Sequence, residues 1–406
     1  MKYKLRDLYK VSNGLSKAGT FFGSGYPFIS FSTVFNNFFI PEEINDFVQS
    51  TSKEQLTYSI KKGDVLITRT SETIEELGMS CVALKDYPTT TFNGFCKRLR
   101  PFTDKVDPLF IGYYMRTPLF RSNFIKVASL ITRASLRNED LLRFNVELPC
   151  IDKQQKIADI LFKYDKLIEN NNKRIKLLEQ MAENLYKEWF VRFRFPGYED
   201  VKFEENIPSN WNYIQLGDII SFERGISYSS EEINCDDGIN LINLKNIQSY
   251  GGFRREGTKK YNGKYKDSQI VNTGDLILGV TDMTQDRRTV GSVALIPIIE
   301  GTSVISADLV KVKSKIPNQF LYCMCRYGFY SKYFSQFANG ANVLHLKPKT
   351  LLNKKVHLPT DDLIKDFTKN VIPMLDSIDK INLQNDILTK QRDMLLPRLM
   401  SGKLEV

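Results

Sequence analysis

Gly63-Asp64-Val65-Leu66-Ile67 and Gly274-Asp275-Leu276-Ile277-Leu278 stand 211 positions apart, and reading them as one motif written twice decides the fold. Working outward, Val82-Ala83-Leu84 returns as Val293-Ala294-Leu295, and Leu5-Arg6-Asp7-Leu8 as Leu216-Gly217-Asp218-Ile219, both again at 211. Leu148-Pro149 returns as Leu358-Pro359 and Leu185-Tyr186-Lys187 as Leu395-Leu396-Pro397, at 210. Chance matches would scatter in offset; these keep one offset along nearly the whole repeat. The chain is a tandem duplication, and two repeats this long make two domains rather than a solenoid.

Each repeat has two parts, which predicts an α+β protein. Residues 1–148 and 206–358 hold short β-like runs between turn signals, such as Val65-Leu66-Ile67-Thr68 after Lys62-Gly63-Asp64. Helical stretches from Leu109 to Phe124 and from Gln319 to Phe337 interrupt them. Residues 149–205 and 359–406 are instead a helix with its linker and a C-terminal helix. In the first helix Leu161, Tyr164, Ile168, Asn171, Ile175, Leu178, Ala182, Leu185 and Trp189 recur at spacings of 3 and 4 without Gly or Pro. That is the a/d pattern of a coiled coil. Shifted by 210, the seam becomes Val371, Met374, Ile378, Ile381, Asn385, Leu388, Arg392, Leu395 and Leu399. Polar residues in such a seam cost stability but specify register and partner. The bland alternative is two separate surface helices on two globular cores.

Composition narrows the class of partner. The 406 residues carry 57 Lys and Arg against 47 Asp and Glu, a net charge of +10 that points to a polyanion, nucleic acid first. Domain by domain, 1–148 holds 20 basic and 15 acidic residues and 206–358 holds 19 and 13, whereas the helical parts hold 11 and 11, then 7 and 8. The excess sits in the β-rich domains, so these are expected to meet the polyanion while the helices meet each other or protein. No run approaches a membrane span, and the start MKYKLRDLYK lacks a signal-peptide core, so a cytoplasmic location is expected. Six scattered cysteines (Cys81, Cys96, Cys150, Cys235, Cys323 and Cys325) are expected as reduced, buried, small apolar residues. Two histidines, His345 and His357, are too few for a His-rich metal centre, and no metal is expected.

One decoy suggests an enzyme. Phe21-Phe22-Gly23-Ser24-Gly25 fits an F-x-G-x-G methyltransferase loop, and Asp107-Pro108-Leu109-Phe110 looks like a degraded D-P-P-[YF]. Such a loop should follow a buried strand and open a helix, yet Pro27-Phe28-Ile29-Ser30 after it reads as a strand. Near its repeat position stands Pro317-Asn318-Gln319-Phe320, which makes the Asp-Pro segment a helix entrance. No phosphate-cradling loop or Ser/His/Asp set appears, so no catalytic residues are expected. What remains is basic side chains among aromatics: Arg69, Lys97-Arg98 with Arg100, Arg133 with Arg137, Arg254-Arg255, Lys259-Lys260 running on to Lys266, and Arg287-Arg288. Arg offers a fork for guanine and Asn or Gln suits adenine, but most such contacts go to phosphate.

With these features assembled, the chain resembles the specificity subunits of type I restriction–modification enzymes over essentially its whole length. The resemblance rests on Leu148-Pro149-Cys150-Ile151-Asp152-Lys153-Gln154-Gln155-Lys156-Ile157-Ala158 at the helix entrance and Leu185-Tyr186-Lys187-Glu188-Trp189-Phe190 with Phe193-Arg194-Phe195-Pro196-Gly197-Tyr198 at its exit. Ile207-Pro208-Ser209-Asn210-Trp211 opens the second domain, and Leu395-Leu396-Pro397-Arg398-Leu399-Met400-Ser401-Gly402 matches the family's ending. Gln154 replaces a common Glu, Asp361-Asp362-Leu363-Ile364-Lys365 lacks a Glu-Gln pair, and Pro373 interrupts the second helix or starts its main part.

The resemblance implies a non-catalytic subunit. Each β-rich domain would be a target recognition domain reading one half of a bipartite double-stranded DNA site. The helices would pack as an antiparallel coiled coil that spaces them, with Leu161 facing Leu399, Trp189 facing Val371, and Asn171 within a turn of Asn385. Two modification subunits would bind S-adenosylmethionine and methylate adenines, and restriction subunits are a further partner of the cleaving complex; this chain would carry no cofactor. Segments Ser129 to Leu136 and Asn339 to Leu346 correspond to a loop the family places near DNA, which adds Thr132, Arg133, Asn342 and His345 to the candidates. The competing readings are a stand-alone adenine methyltransferase and a coiled-coil scaffold with no nucleic-acid role.

Overall fold

The repeated Gly-Asp pair makes the same turn twice in the computed structural model, which describes residues 1–71, 77–128, 134–233 and 236–406. Gly63 and Gly274 take φ of +86° and +85°, a left-handed conformation that suits a residue without a Cβ. Asp64 then accepts the Lys61 N–H and Asp275 the Asn272 N–H, each at 2.7 Å. Each carboxylate also holds a cation, Arg100 on Asp64 and Lys311 on Asp275, both at 2.6 Å. The strands that follow, Val65–Thr68 and Leu276–Gly279, are buried along their whole length, which explains their continuous apolar runs.

Each of these strands lies inside a four-stranded antiparallel sheet. In the first repeat the order is Tyr9–Asn13, Cys96–Pro101, Val65–Thr68, Ser80–Val82. In the second it is Ile220–Arg224, Leu309–Ser314, Leu276–Gly279, Val293–Leu295, the same order. Pairing corrects one alignment. Val65 faces Val82 whereas Leu276 faces Leu295, so Val82 corresponds to Leu295 rather than Val293, and the second hairpin is two residues longer. A further sheet has three strands in the first repeat and four in the second. Both repeats press a glycine onto a backbone carbonyl: a Cβ on Gly14 would lie 2.1 Å from the Asn93 oxygen, and one on Gly225 2.1 Å from that of Ser306. No side chain fits there.

The expected helical stretches are each two helices. Pro108–Tyr114 and Pro118–Ala128 divide at Pro118, and Asn318–Tyr327 and Tyr330–Ser335 divide at Gly328-Phe329. Asp107 caps the first, its Oδ1 accepting the Phe110 N–H at 2.8 Å with proline at the first turn, so the Asp-Pro segment is a helix entrance. Phe22–Ile29 is a strand, as the reading against a cofactor loop requires.

The two long helices run from Ile151 to Phe190 and from Asp361 to Met400, 40 residues each. Pro373 neither ends nor begins the second; the helix starts at Asp361 and passes through it with the ring exposed. Every seam position named above is buried or half-buried, from Leu161 to Trp189 and from Val371 to Leu399. The helix ends bury additional residues, including Ile157, Ala158, Tyr186, Phe190, Ile364 and Phe367.

The chain divides into two compact units, residues 1–169 with 386–406, and residues 170–385. In the first unit Leu161, Leu396 and Leu399 share one core with Leu5, Val65 and Phe110 of the β-rich domain. Arg392 donates to Asp165 at 2.5 Å and lies 5.0 Å from the Phe38 ring. In the second unit the Trp189 ring lies 5.8 Å from that of Phe367, one turn before the expected Val371. That one-turn slip lets Asn171 Nδ2 donate to Asn385 Oδ1 at 2.9 Å. Arg326 meets Glu179 at 2.9 Å, and Arg255 pairs with Asp379, tying the second β-rich domain to both helices.

Cys81, Cys96, Cys323 and Cys325 are free and buried, and burial pushes the Cys81, Cys96 and Cys325 thiols up to about 12. Cys150 departs from the expectation: it is exposed beside the start of the first long helix. Cys235 lies outside the described residues. Among the described residues no helix is long and apolar enough to cross a membrane, and no group of three acidic, Cys or His side chains could hold a metal ion.

Candidate nucleic-acid interface

Four of the candidates, Arg287, Arg288, Asn342 and His345, come together on two neighbouring loops of the second unit. Strand Leu276–Gly279 leads through Val280 into Thr281–Asp282, which pairs antiparallel with Leu344–His345. The pairing continues as Leu346 N–H donates to Val280 O at 2.8 Å, and Asn339 and His345 exchange bonds of 3.0 and 2.9 Å. A tight loop closes between them: a Cβ on Gly340 would sit 1.9 Å from the Val343 oxygen, so only glycine fits. Asn342 and His345 are left exposed on this loop.

The facing loop, 283–289, is organised by one buried carboxylate. Asp282 Oδ1 accepts the Thr284 N–H and hydroxyl, both at 2.9 Å. Its Oδ2 accepts the Thr289 and Val290 N–H groups at 2.7 and 3.2 Å. Burial by itself would raise its pKa, but these hydrogen bonds outweigh burial and hold the carboxyl below its ordinary value. Gln285 braces the loop on Ala341 O at 2.8 Å, and Arg287 on the Ser335 and Gln336 carbonyls at 3.3 and 3.2 Å. Arg288 is exposed and pairs with Asp286 at 2.9 Å, and its carbonyl accepts the N–H of the exposed Tyr250. The result is a rim of polar, aromatic and cationic side chains on a loop held by the Asp282 carboxylate and braced at Gln285 and Arg287, which suits reading a groove.

The basic cluster from Arg254 to Lys266 divides by direction. Arg254, Lys260, Lys264 and Lys266 are exposed, with Tyr265 among them. Lys259 is half-buried over the Tyr228 ring at 5.6 Å. Arg255 turns inward: its guanidinium reaches Ile298 O at 3.0 Å and Asp379, whose other oxygen takes the Ile298 N–H. It serves the helix contact instead of the surface.

In the first unit the corresponding pair is Thr70–Ser71 with Ala134–Ser135. Arg69 precedes it, half-buried, and its Nε has no hydrogen-bond partner among the described residues. Arg137 is exposed just before helix Asn138–Leu142. Thr132 and Arg133 lie outside the described residues. Lys97, Arg98 and Arg100 prove internal: Lys97 reaches Asn13 at 3.1 Å, Arg98 bonds Ser59 O, and Arg100 forks onto Asp64 at 2.8 and 2.6 Å. Burial lowers the pKa of Lys97 and Arg98 alike. Their burial could not be told from sequence, because basic residues on a strand read the same whether they face water or meet a carbonyl or carboxylate of another segment.

Asp282 and Arg116 stand outside the residues expected from the sequence. The only trace of Asp282 in the sequence is that it follows a buried strand at the end of the repeated motif. Arg116, the repeat counterpart of Arg326, gathers the carbonyls of Ser80, Val34, Phe35 and Asn37 within 2.9 Å, and burial brings its pKa down to about 10.

Comparison with known proteins gives a consistent result. The model of the type I restriction modification DNA specificity domain matches twice, over residues 1–180 and 208–389. The MjaIX specificity subunit of a Methanocaldococcus jannaschii type I restriction enzyme is 26% identical, covering 99% of this chain and 93% of its own length. The HindI specificity subunit of Haemophilus influenzae is 22% identical, with 99% of both chains covered. The crystal structure of a type I restriction–modification S subunit from M. genitalium shares the fold, with a TM-score of 0.59 at 14% identity over 98% of this chain and 95% of that one.

Proposed function

This chain belongs to the family of type I restriction–modification DNA specificity proteins, and from that premise we infer that it is the subunit that selects the DNA sequence on which its complex acts. Each β-rich domain reads one half of a bipartite duplex target. The observation that carries this reading is the duplicated sheet with its duplicated strand-pair exit, Thr70–Ser71 on Ala134–Ser135 and Thr281–Asp282 on Leu344–His345. Two copies of one scaffold that differ in the side chains of their strand pairs let one chain carry two different specificities.

In this reading base contacts come from the loop pair 283–289 and 339–346 and its counterpart, with Asn342, His345 and Arg288 nearest the surface. Arg254, Lys260, Lys264 and Lys266 contact phosphate, for which flexible point charges are suited. Chemistry is left to partners: two modification subunits carrying S-adenosylmethionine and, in the cleaving complex, restriction subunits. The helices and the domain surfaces beside them are the scaffold for those partners. Binding of the assembled complex to duplexes bearing both half-sites, one, or neither tests the reading. Tight binding should require both halves; equal affinity for all three duplexes would refute it.

A further inference from the structure

The two long helices carry unlike seams, and the unlikeness is complementary. Asn171 donates to Asn385 at 2.9 Å, and Asn385 in turn donates to Asn172 Oδ1 at 2.9 Å. Four residues on along the first helix and four back along the second, the same register sets Ile175 opposite Ile381. The repeat offset of 210 equates Asn171 with Ile381 and Ile175 with Asn385. The first unit shows the same relation in charge: Asp165 pairs with Arg392 at 2.5 Å, and their repeat counterparts are Leu375 and Ala182.

We propose that this seam is a pairing code, by which the helix Ile151–Phe190 accepts the helix Asp361–Met400 and rejects a second copy of itself. Two first helices in the same antiparallel register would set Asn171 against Ile175 twice and Asp165 against Ala182 twice. Two second helices would set Asn385 against Ile381 and Arg392 against Leu375. Each mismatch buries an amide or a charge that has lost its partner, which is strongly unfavourable. The pairing of unlike helices puts Asn with Asn, Ile with Ile and Asp with Arg. A duplicated chain needs such a device, because its two halves descend from one sequence and their apolar seam positions remain compatible with self-pairing. A polar residue at a single seam position is enough to select register and partner in coiled coils.

A composition-neutral exchange in the full-length chain tests the code. Asn171→Ile with Ile175→Asn creates, within one chain, the same amide mismatches that self-pairing would create; Ile381→Asn with Asn385→Ile does so from the other side. Either exchange alone should lower the melting temperature by roughly 2–4 °C or more, and the two combined should restore most of it. Additive losses in the combined variant, or no loss in either, would overturn the code. A second readout addresses self-pairing directly. Full-length protein with a protease site placed after Glu204 is cut, mixed with an isotope-heavy counterpart through a partly unfolding urea step, and weighed by native mass spectrometry. N-terminal halves should recombine only with C-terminal halves; a statistical mixture with like-paired halves would overturn the proposal.

Discussion

Arg392 of the second long helix and Asp165 of the first form an ion pair at 2.5 Å, and Tyr113 of the first β-rich domain donates its hydroxyl to the other carboxylate oxygen. Both charged side chains are mostly buried, at 13% and 19% exposure. Burial works against the Arg392 charge, yet Asp165 and Asp393 outweigh it and raise its pKa, while burial and Asp165 raise that of Tyr113. Three elements therefore meet at one carboxylate. Replacing Arg392 by Leu should destabilise the protein by about 1–3 kcal/mol, because Asp165 keeps its burial and loses its cation. The pair Arg392→Leu with Asp165→Leu should recover much of the loss. Urea unfolding followed by helical circular dichroism measures both; an equal or larger loss in the double variant would contradict the coupling.

Phosphate contacts should be separable from base contacts. Lys264 and Lys266 are exposed, whereas Lys259 packs over Tyr228 and Lys260 reaches Gly238 O and Asn240 Oδ1, so Lys264→Ala and Lys266→Ala are the clean substitutions. Each should weaken binding of the complex to all duplexes alike and reduce the slope of log affinity against log salt by roughly 1. Titration at several salt concentrations checks this. A change in the preferred sequence would show instead that these lysines read bases.

Specificity should be divisible by domain. Exchanging Asn342 and His345 for other polar residues should alter one half of the target and leave the other unchanged, because both lie on a single loop of the second unit. A loss of discrimination on the order of 1–3 kcal/mol per affected base pair is expected. Competition binding with duplexes altered in one half-site at a time provides the measurement.

Much of this architecture is legible in the chain itself, and the exceptions have physical causes. The duplication is visible because glycine at +86° and +85° and a buried carboxylate cannot be replaced without loss, so Gly63-Asp64 and Gly274-Asp275 keep their identity. The seam is visible because helical spacing is rigid. The two-residue extension before Leu295 is invisible, since turn length leaves no periodic mark. The inward turn of Arg255, Lys97, Arg98 and Arg100 is hidden for another reason: a cation's partner, such as Asp379 or Asp64, is set by tertiary contact. Pro373 read as a boundary, yet the packing of its helix overrides the missing backbone donor.

Acid should act on the 283–289 loop through Asp282. Its folded pKa lies below its ordinary value, so the stability it contributes is full above the ordinary carboxylate range and is lost as pH falls through the lowered folded value. Asp282→Asn keeps the shape and removes the charge that four donors share. Thermal unfolding across pH 3–7 should show a shallower acid limb in that variant, together with weaker DNA binding near neutrality. An unchanged pH profile would remove Asp282 as the organiser of the loop.

If one chain reads two half-sites with two copies of one scaffold, the methylation it directs is bipartite. The most direct measurement is a map of methylated adenines in the DNA of a host expressing this chain together with a type I methyltransferase subunit. The expected result is a bipartite motif, two short specified blocks separated by unspecified bases, in which substitutions at Asn342 and His345 change only one block. A single uninterrupted motif, or a change in both blocks from those substitutions, would contradict it.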